Sequence, residues 1–165
     1  MGHLSERSAG YCLRCGSRLI ESVQFGANRP TCPNCGWIHF ADPKVAVAVL
    51  LEQEGRILLV RRANEPFKGA WTLPAGFVDA GEDPRRAAER ECLEETGLRI
   101  RAGKVLDVIA GREHRRGADF VIVYSGEIVS GAVLPGDDAD AVEWYDREHL
   151  PPLAFRATSS VLGLK

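Results

Sequence analysis

The chain has 165 residues, of which 45% are hydrophobic and 27% charged, and a formal net charge of −2. Such a composition is that of a soluble globular protein, with room for one domain of ordinary size and a small appendage. It excludes a membrane-spanning helix, since no apolar run is long enough, and a global electrostatic drive toward nucleic acid or anionic lipid. Residues 1–7 lack the apolar stretch of a secretory signal, so the expected compartment is cytoplasmic. Arginine outnumbers lysine 17 to 4; the excess suits phosphate recognition and is equally explained by codon composition.

Residues 1–10 are polar and expected to fray. Cys12 and Cys15, then Cys32 and Cys35, form two C-x2-C pairs, each followed by a glycine. This spacing reads as a four-thiolate Zn²⁺ site, coordinatively closed and therefore structural. The ribbon around it, residues 11–40, is too small to hold itself by apolar burial alone. Disulfides are the competing reading, disfavoured in a reducing compartment. Arg14, Arg18 and Arg29 are too few and scattered to make the ribbon a strong nucleic-acid contact. Residues 37–43 have no Gly/Ser linker character, so the ribbon is expected to pack on the domain formed by residues 41–165. His39, in that join, reads as a structural histidine.

Residues 44–51 and 56–62 are two β-prone runs joined by a turn at 52–55. Their near-continuous apolar character implies strands covered on both faces, hence a layered α/β/α arrangement. Arg61 and Arg62 end the second run, where they can reach a substrate phosphate or serve as surface residues. Residues 73–82 are a glycine-rich loop leading to a helix capped by Asp83, opened by Pro84 and stopped by Gly97. On that helix Glu91, Glu94 and Glu95 stand at i, i+3 and i+4 and share a face. Each like-charged neighbour pair costs about 0.2–0.5 kcal/mol on a solvated helix. A hard divalent cation, Mg²⁺ or Mn²⁺, would turn that cost into binding; a solvated acidic face with Arg85, Arg86 and Arg90 as partners is the plain alternative.

Beyond the helix, residues 99–110 and 120–129 read as strands, with a polar loop between them that carries Arg112, His114, Arg115 and Arg116. That loop suits diphosphate contact or is a solvated hairpin tip. An acidic loop at 135–140 precedes a further strand, residues 146–150 are expected to begin a short helix ended by Pro151 and Pro152, and the partly apolar 153–156 is expected to dock.

The stretch from Gly76 to Leu98 resembles the signature of the Nudix hydrolase family, G-x5-E-x7-R-E-U-x-E-E-x-G-U. It does so at Gly76, Glu82, Arg90, Glu91, Cys92, Glu94, Glu95, Gly97 and Leu98. Cys92 is the least usual of these, at an apolar position. The preceding W-T-L-P-A-G looks like the family's approach to its signature, with Ala75 where a second glycine is common. Nine specified positions make the match highly specific.

The resemblance implies an α/β/α Nudix sandwich with a mixed sheet, preceded here by the small N-terminal zinc ribbon. It implies hydrolysis of the diphosphate linkage in a nucleoside diphosphate derivative. Glu91, Glu94, Glu95 and the Gly76 carbonyl would hold Mg²⁺ or Mn²⁺, with Glu82 and Arg90 supporting them. A downstream carboxylate completes such sites; Asp138 is the candidate, with Asp137, Asp140 and Glu143 as rivals. Arg61, Arg62, Arg115 and Arg116 are candidates for substrate phosphate, and Trp71 and Phe77 for stacking on a base or flavin. Ribbon and signature together resemble NADH pyrophosphatases and zinc-ribbon proteins acting on FAD or ADP-ribose. The S-Q-P-W-P motif usual in the former is absent, which favours a small-molecule substrate, ADP-ribose or FAD, over NADH or NAD-capped RNA. A non-catalytic nucleotide sensor that touches DNA or protein through its ribbon is the reading from another class. Nucleic acid and membrane are not expected partners, and a homodimer agrees with the resemblance.

Overall fold

The computed structural model describes residues 10–164 except 111, 112 and 116. It divides into two units, the first ending at Asp42 and the second beginning at Pro43. In the first unit β1 (Ile20–Gln24) and β2 (Ala27–Thr31) form an antiparallel hairpin, with Gln24 opposite Ala27. Each C-x2-C pair sits in a tight turn: the Gly16 and Gly36 amides donate to the Cys12 and Cys32 carbonyls at 2.9 and 3.0 Å. Both glycines have φ near +72°, a conformation costly for any other residue.

The second unit holds a mixed sheet and an antiparallel one. In the mixed sheet β3 (Val45–Leu50) lies parallel to β9 (Phe120–Gly131) and antiparallel to β7 (Ala75–Phe77), and β8 (Leu98–Ala110) completes the order β7-β3-β9-β8. In the other, β5 (Arg56–Arg62) pairs with β10 (Ala139–Asp146), with β4 (Glu52–Gln53) and with β6 (Trp71–Thr72). Alternation along β3 feeds two cores. Val47 and Val49 pack with Ala87, Ala88 and Cys92 of α1 (Pro84–Thr96). Ala48 and Leu50 pack with Trp71, Leu73 and Leu162, beside α2 (Arg156–Val161). Strands covered on both faces and the α/β/α layering are thus observed.

The termini of α1 follow from local chemistry. Asp83 accepts from the Arg85 amide at 2.8 Å, Pro84 needs no N–H there, and Gly97 at φ 71° donates to the Leu93 carbonyl. Cys92 is fully buried and its thiol is pushed up to about 11 by that burial, so it packs as a small hydrophobe. The helix expected at 146–150 is instead a turn, closed by the His149 amide on the Asp146 carbonyl. Strand β10 runs to Asp146, and the pair of prolines leaves too few residues to nucleate a helix. The helix comes later, as α2. The tail docks as expected: Ala154 donates to the Trp71 carbonyl at 2.8 Å, and Trp71 donates to that of Pro152 at 2.9 Å. Among the described residues no helix is long and apolar enough to cross a membrane.

Candidate functional site

One arginine ties two glutamates of α1 to the glycine-rich loop. Arg90 donates from Nε and Nη2 to the two oxygens of Glu82 at 2.9 and 2.8 Å, from Nη1 to Glu91 and Glu94 at 2.7 and 3.1 Å, and from Nη2 to the Phe77 carbonyl at 3.1 Å. The guanidinium fork ties the glycine-rich loop to the helix and offsets the repulsion between neighbouring carboxylates. Hydrogen bonds from Arg90 and from the Asp79 amide hold the Glu82 carboxyl down at about 2. Because that value lies below the ordinary 4.5, the link stabilises the fold above pH 4.5 and is lost as pH falls toward 2. Glu82→Gln is therefore expected to reduce the loss of thermal stability over that acid window, and a variant with the wild-type slope would contradict it.

Burial grades the glutamates. The Glu94 side chain is 44% exposed, that of Glu91 13%, and Glu95 is 4% exposed. Glu95 accepts from the Ala75 amide at 2.9 Å. Desolvation first, and then the adjoining Asp138 carboxylate, raise its proton affinity well above the ordinary range. Desolvation also raises that of Glu91, with Glu94 and Asp137 as like-charged neighbours. Of the four acidic candidates in the 137–143 segment, Asp138 thus meets Glu95 and Asp137 comes within electrostatic reach of Glu91. Asp140 is taken by Arg61 Nε at 2.6 Å, and Glu143 accepts from the Tyr145 hydroxyl at 3.0 Å.

The donor set fits a hard divalent cation: abutting carboxylates from α1 and the 137–138 turn, in a half-desolvated place, beside backbone that has no side chain in the way. At Gly76 a Cβ would run into the Glu91 carboxylate. The glutamates are turned to Arg90 and Ala75 rather than to one point. Among the described residues, only the four cysteines are gathered within 4.8 Å of one another. Gly76→Ala is expected to lower turnover about 10- to 100-fold by displacing Glu91, with the fold retained; unchanged steady-state rates would refute it.

Next to this cluster lies a cavity of about 320 Å³ whose wall includes Gly76, Phe77 and Asp138. Its floor is Ala46 and Ala48 of β3 with Val121 and Val123 of β9. Phe155 and His114 stand at one side, their rings 6.2 Å apart and inclined by 27°, and Phe67 meets Phe155 edge-on at 5.4 Å. The Arg62 guanidinium lies 5.0 Å from the Phe155 centroid while Nε donates to the Pro66 carbonyl. Of the expected substrate residues, Arg62 and Phe77 line this cavity. Arg61 is paired with Asp140, Trp71 is 7% exposed within the core against Tyr145, and neither lines it. Arg115 is exposed outside the lining, and Arg116 lies outside the described residues. Phe155 was legible only as a docking residue. No local pattern marks a wall assembled from β5, the 113–119 loop and the tail.

In the first unit Cys12 and Cys35 Sγ are 3.6 Å apart, and Cys15 and Cys32 Sγ 3.5 Å. A disulfide would bring sulfurs to about 2.05 Å, whereas thiolates at about 2.3 Å from a tetrahedral ion lie roughly 3.8 Å from one another. The four sulfurs therefore form a group able to hold a metal ion, and none of the cysteines is bridged. The Arg14 and Cys35 amides point at Cys12 and Cys32 Sγ, both at 3.4 Å.

Residues 42–162 match the NUDIX domain. The chain is 40% identical over 117 residues to an ADP-ribose pyrophosphatase of Methanocaldococcus jannaschii, covering 70% of this chain and 69% of that protein. It is 28% identical over 144 residues to the NAD-capped RNA hydrolase NudC of Pseudomonas aeruginosa, covering 87% of this chain but half of that protein. Among solved structures, a NUDIX hydrolase from Nitrosomonas europaea superposes with a TM-score of 0.82 at 30% identity, over 93% of this chain and 88% of the other.

Proposed function

The chain belongs to the NUDIX family of hydrolases, and from that premise we propose that it cleaves the diphosphate linkage of ADP-ribose or FAD to AMP and a phosphate ester. The observation that carries this reading is the Glu91–Glu95–Asp138 cluster opening beside Gly76 onto a cavity with aromatic walls. The 40% identity to an ADP-ribose pyrophosphatase supports the first substrate.

In this account Glu91, Glu94, Glu95, Asp138 and the Gly76 carbonyl hold Mg²⁺ or Mn²⁺. When bound, such an ion neutralises diphosphate charge and acidifies water. Glu95 and Asp138 share a place where a second negative charge needs a proton or a cation beside it. Arg90 and Glu82 keep Glu91 and Glu94 on the loop side of α1. Arg62, in the cavity lining, offers a fixed positive charge to the substrate. Cys12, Cys15, Cys32 and Cys35 would hold Zn²⁺, and four thiolate ligands would give it a structural rather than a catalytic role.

The test is mass-spectrometric product analysis with Mg²⁺ or Mn²⁺ over ADP-ribose, FAD, NADH, NAD-capped RNA and nucleoside triphosphates. AMP with ribose 5-phosphate, or AMP with FMN, is the expected result. Turnover confined to NADH or NAD-capped RNA would replace the substrate assignment. Tight binding of one compound without turnover of any would make the protein a sensor.

A further inference from the structure

We propose that residues 134–136 form a strap across the end of α1 that sets Asp138 against Glu95. Gly136 is its positioning residue: on it depend the spacing of those two carboxylates and hence the affinity for a divalent cation. The strap takes its ligand from the hydrolase reading above, while its geometry owes nothing to the choice of substrate.

The last carbonyls of a helix have no partner within it. In α1 the Leu93 carbonyl is taken by the Gly97 amide, and two others are met from far along the chain. The Leu134 amide donates to the Thr96 carbonyl at 2.9 Å, and the Gly136 amide to the Glu95 carbonyl at 3.2 Å. Glu95 thus turns its side chain to the site and gives its carbonyl to the segment that brings Asp138. So close an approach needs absent side chains. A Cβ on Gly136 would lie 2.6 Å from the Glu94 carbonyl oxygen, and one on Gly97 2.7 Å from that of Ala132. Gly97 also has a left-handed φ of 71°, whereas Gly136 has no positive φ. At Gly136, therefore, only the nearness of α1 excludes a side chain.

From Gly136 the chain turns at once. The Ala139 amide donates to the Gly136 carbonyl at 3.0 Å, and Asp137 sits at φ 51°, a conformation that aspartate adopts more readily than most residues. On the far side the Ala63 amide, just beyond β5, donates to the Asp138 carbonyl at 2.8 Å. Asp138 is thus held from two sides, by α1 through Gly136 and by the end of β5 through Ala63. Its carboxylate adjoins that of Glu95, which is 4% exposed. Two like charges in so desolvated a place repel, so they do not meet by their own attraction. Capping α1 accounts for the two amide bonds. It does not account for a turn that carries a carboxylate back onto the helix against that repulsion, whereas a cation shared by Glu95 and Asp138 does.

The experiment measures Mn²⁺ affinity by electron paramagnetic resonance, without substrate, on full-length protein loaded with Zn²⁺. It compares wild type, Gly136→Ala, Asp138→Asn and the double variant, with melting temperatures taken before Mn²⁺ is added. Loss of a group that orients a metal ligand costs about 10- to 100-fold in affinity, and Gly136→Ala is expected to weaken Mn²⁺ binding by that factor. In the Asp138→Asn background the same change should cost less than about twofold, because the carboxylate it positions is already gone. A merely structural glycine gives a different pattern: Mn²⁺ affinity within about twofold of wild type, or an equal loss in both backgrounds. Either result overturns the strap, while Mn²⁺ binding by wild type leaves the hydrolase reading intact. A wild type that binds no Mn²⁺ removes both. If Gly136→Ala does not fold, hydrogen exchange in wild type decides. Mg²⁺ should then slow exchange of the Leu134 and Gly136 amides about tenfold, and unchanged rates overturn the strap.

Discussion

Glu95→Gln is expected to lower kcat by about 10²–10⁴-fold, the range associated with loss of a catalytic proton-transfer or charge-stabilising group, without loss of the fold. Glu95 is the glutamate on which burial and charge bear most heavily: 4% exposed, beside Asp138, and raised well above the ordinary carboxyl value. A glutamine keeps its shape and removes its charge. In the metal-free fold Glu95 binds a proton more tightly than in the unfolded chain, because it is desolvated and lies beside Asp138. Stability from that proton is full below the unfolded value near 4.5 and lost as pH rises through the raised folded one. Glu95→Gln should therefore melt no lower than metal-free wild type at pH 7. Added Mg²⁺ should stabilise wild type and leave the variant unmoved. Full turnover in the variant, or equal stabilisation by Mg²⁺, would show that Glu95 holds no cation.

Stripping the four-cysteine site is expected to unfold the first unit. Among the described residues its regular structure is two five-residue strands, a hairpin that is marginal in water by itself. Structural Zn²⁺ binding is worth about 10–16 kcal/mol in zinc-finger peptides, far more than such a hairpin supplies. Cys12→Ser, at a buried sulfur, should release the ion and abolish amide protection across residues 20–31 in hydrogen exchange, while Val47, Leu58 and Leu59 stay protected. Unchanged protection in the ion-free protein would show that the ribbon stands without metal.

What could be read from the chain and what could not divide along the range of the interactions. Helix α1 was legible from end to end because Asp83, Pro84 and Gly97 act on backbone groups within a turn of themselves. Strands β3 and β5 were legible from near-continuous apolar runs that tolerate burial on both faces, and β8 and β9 as β-prone segments on either side of a polar loop. The two- and three-residue strands β4, β6 and β7 carry no periodicity of their own. They exist because neighbouring strands offer free backbone groups. Helix α2, R-A-T-S-S-V, is poor in helix formers, and its first amides are capped by Glu113 from 43 and 44 residues away. No local reading places it.

The site divides in the same way. The carboxylate face of α1 was accessible from spacing; Asp138 was one of four downstream candidates by resemblance, and its position beside Glu95 comes from the fold alone. The Phe155–His114–Arg62 wall was not, because its members come together only when three segments fold. Trp71 shows the converse. An aromatic two residues before the glycine-rich loop reads as a stacking platform, yet its carbonyl and amide both bond to the docked tail and its ring packs on Tyr145.

The most direct test of the central claim, that the glutamate cluster directs water to a diphosphate linkage, is ADP-ribose turnover in H₂¹⁸O with Mg²⁺. The expected result is AMP and ribose 5-phosphate in equal amounts, with one ¹⁸O on one of the two phosphates, and release slowed by about 100-fold or more in Glu95→Gln. Release of unlabelled products, or equal turnover by Glu95→Gln, would contradict the account.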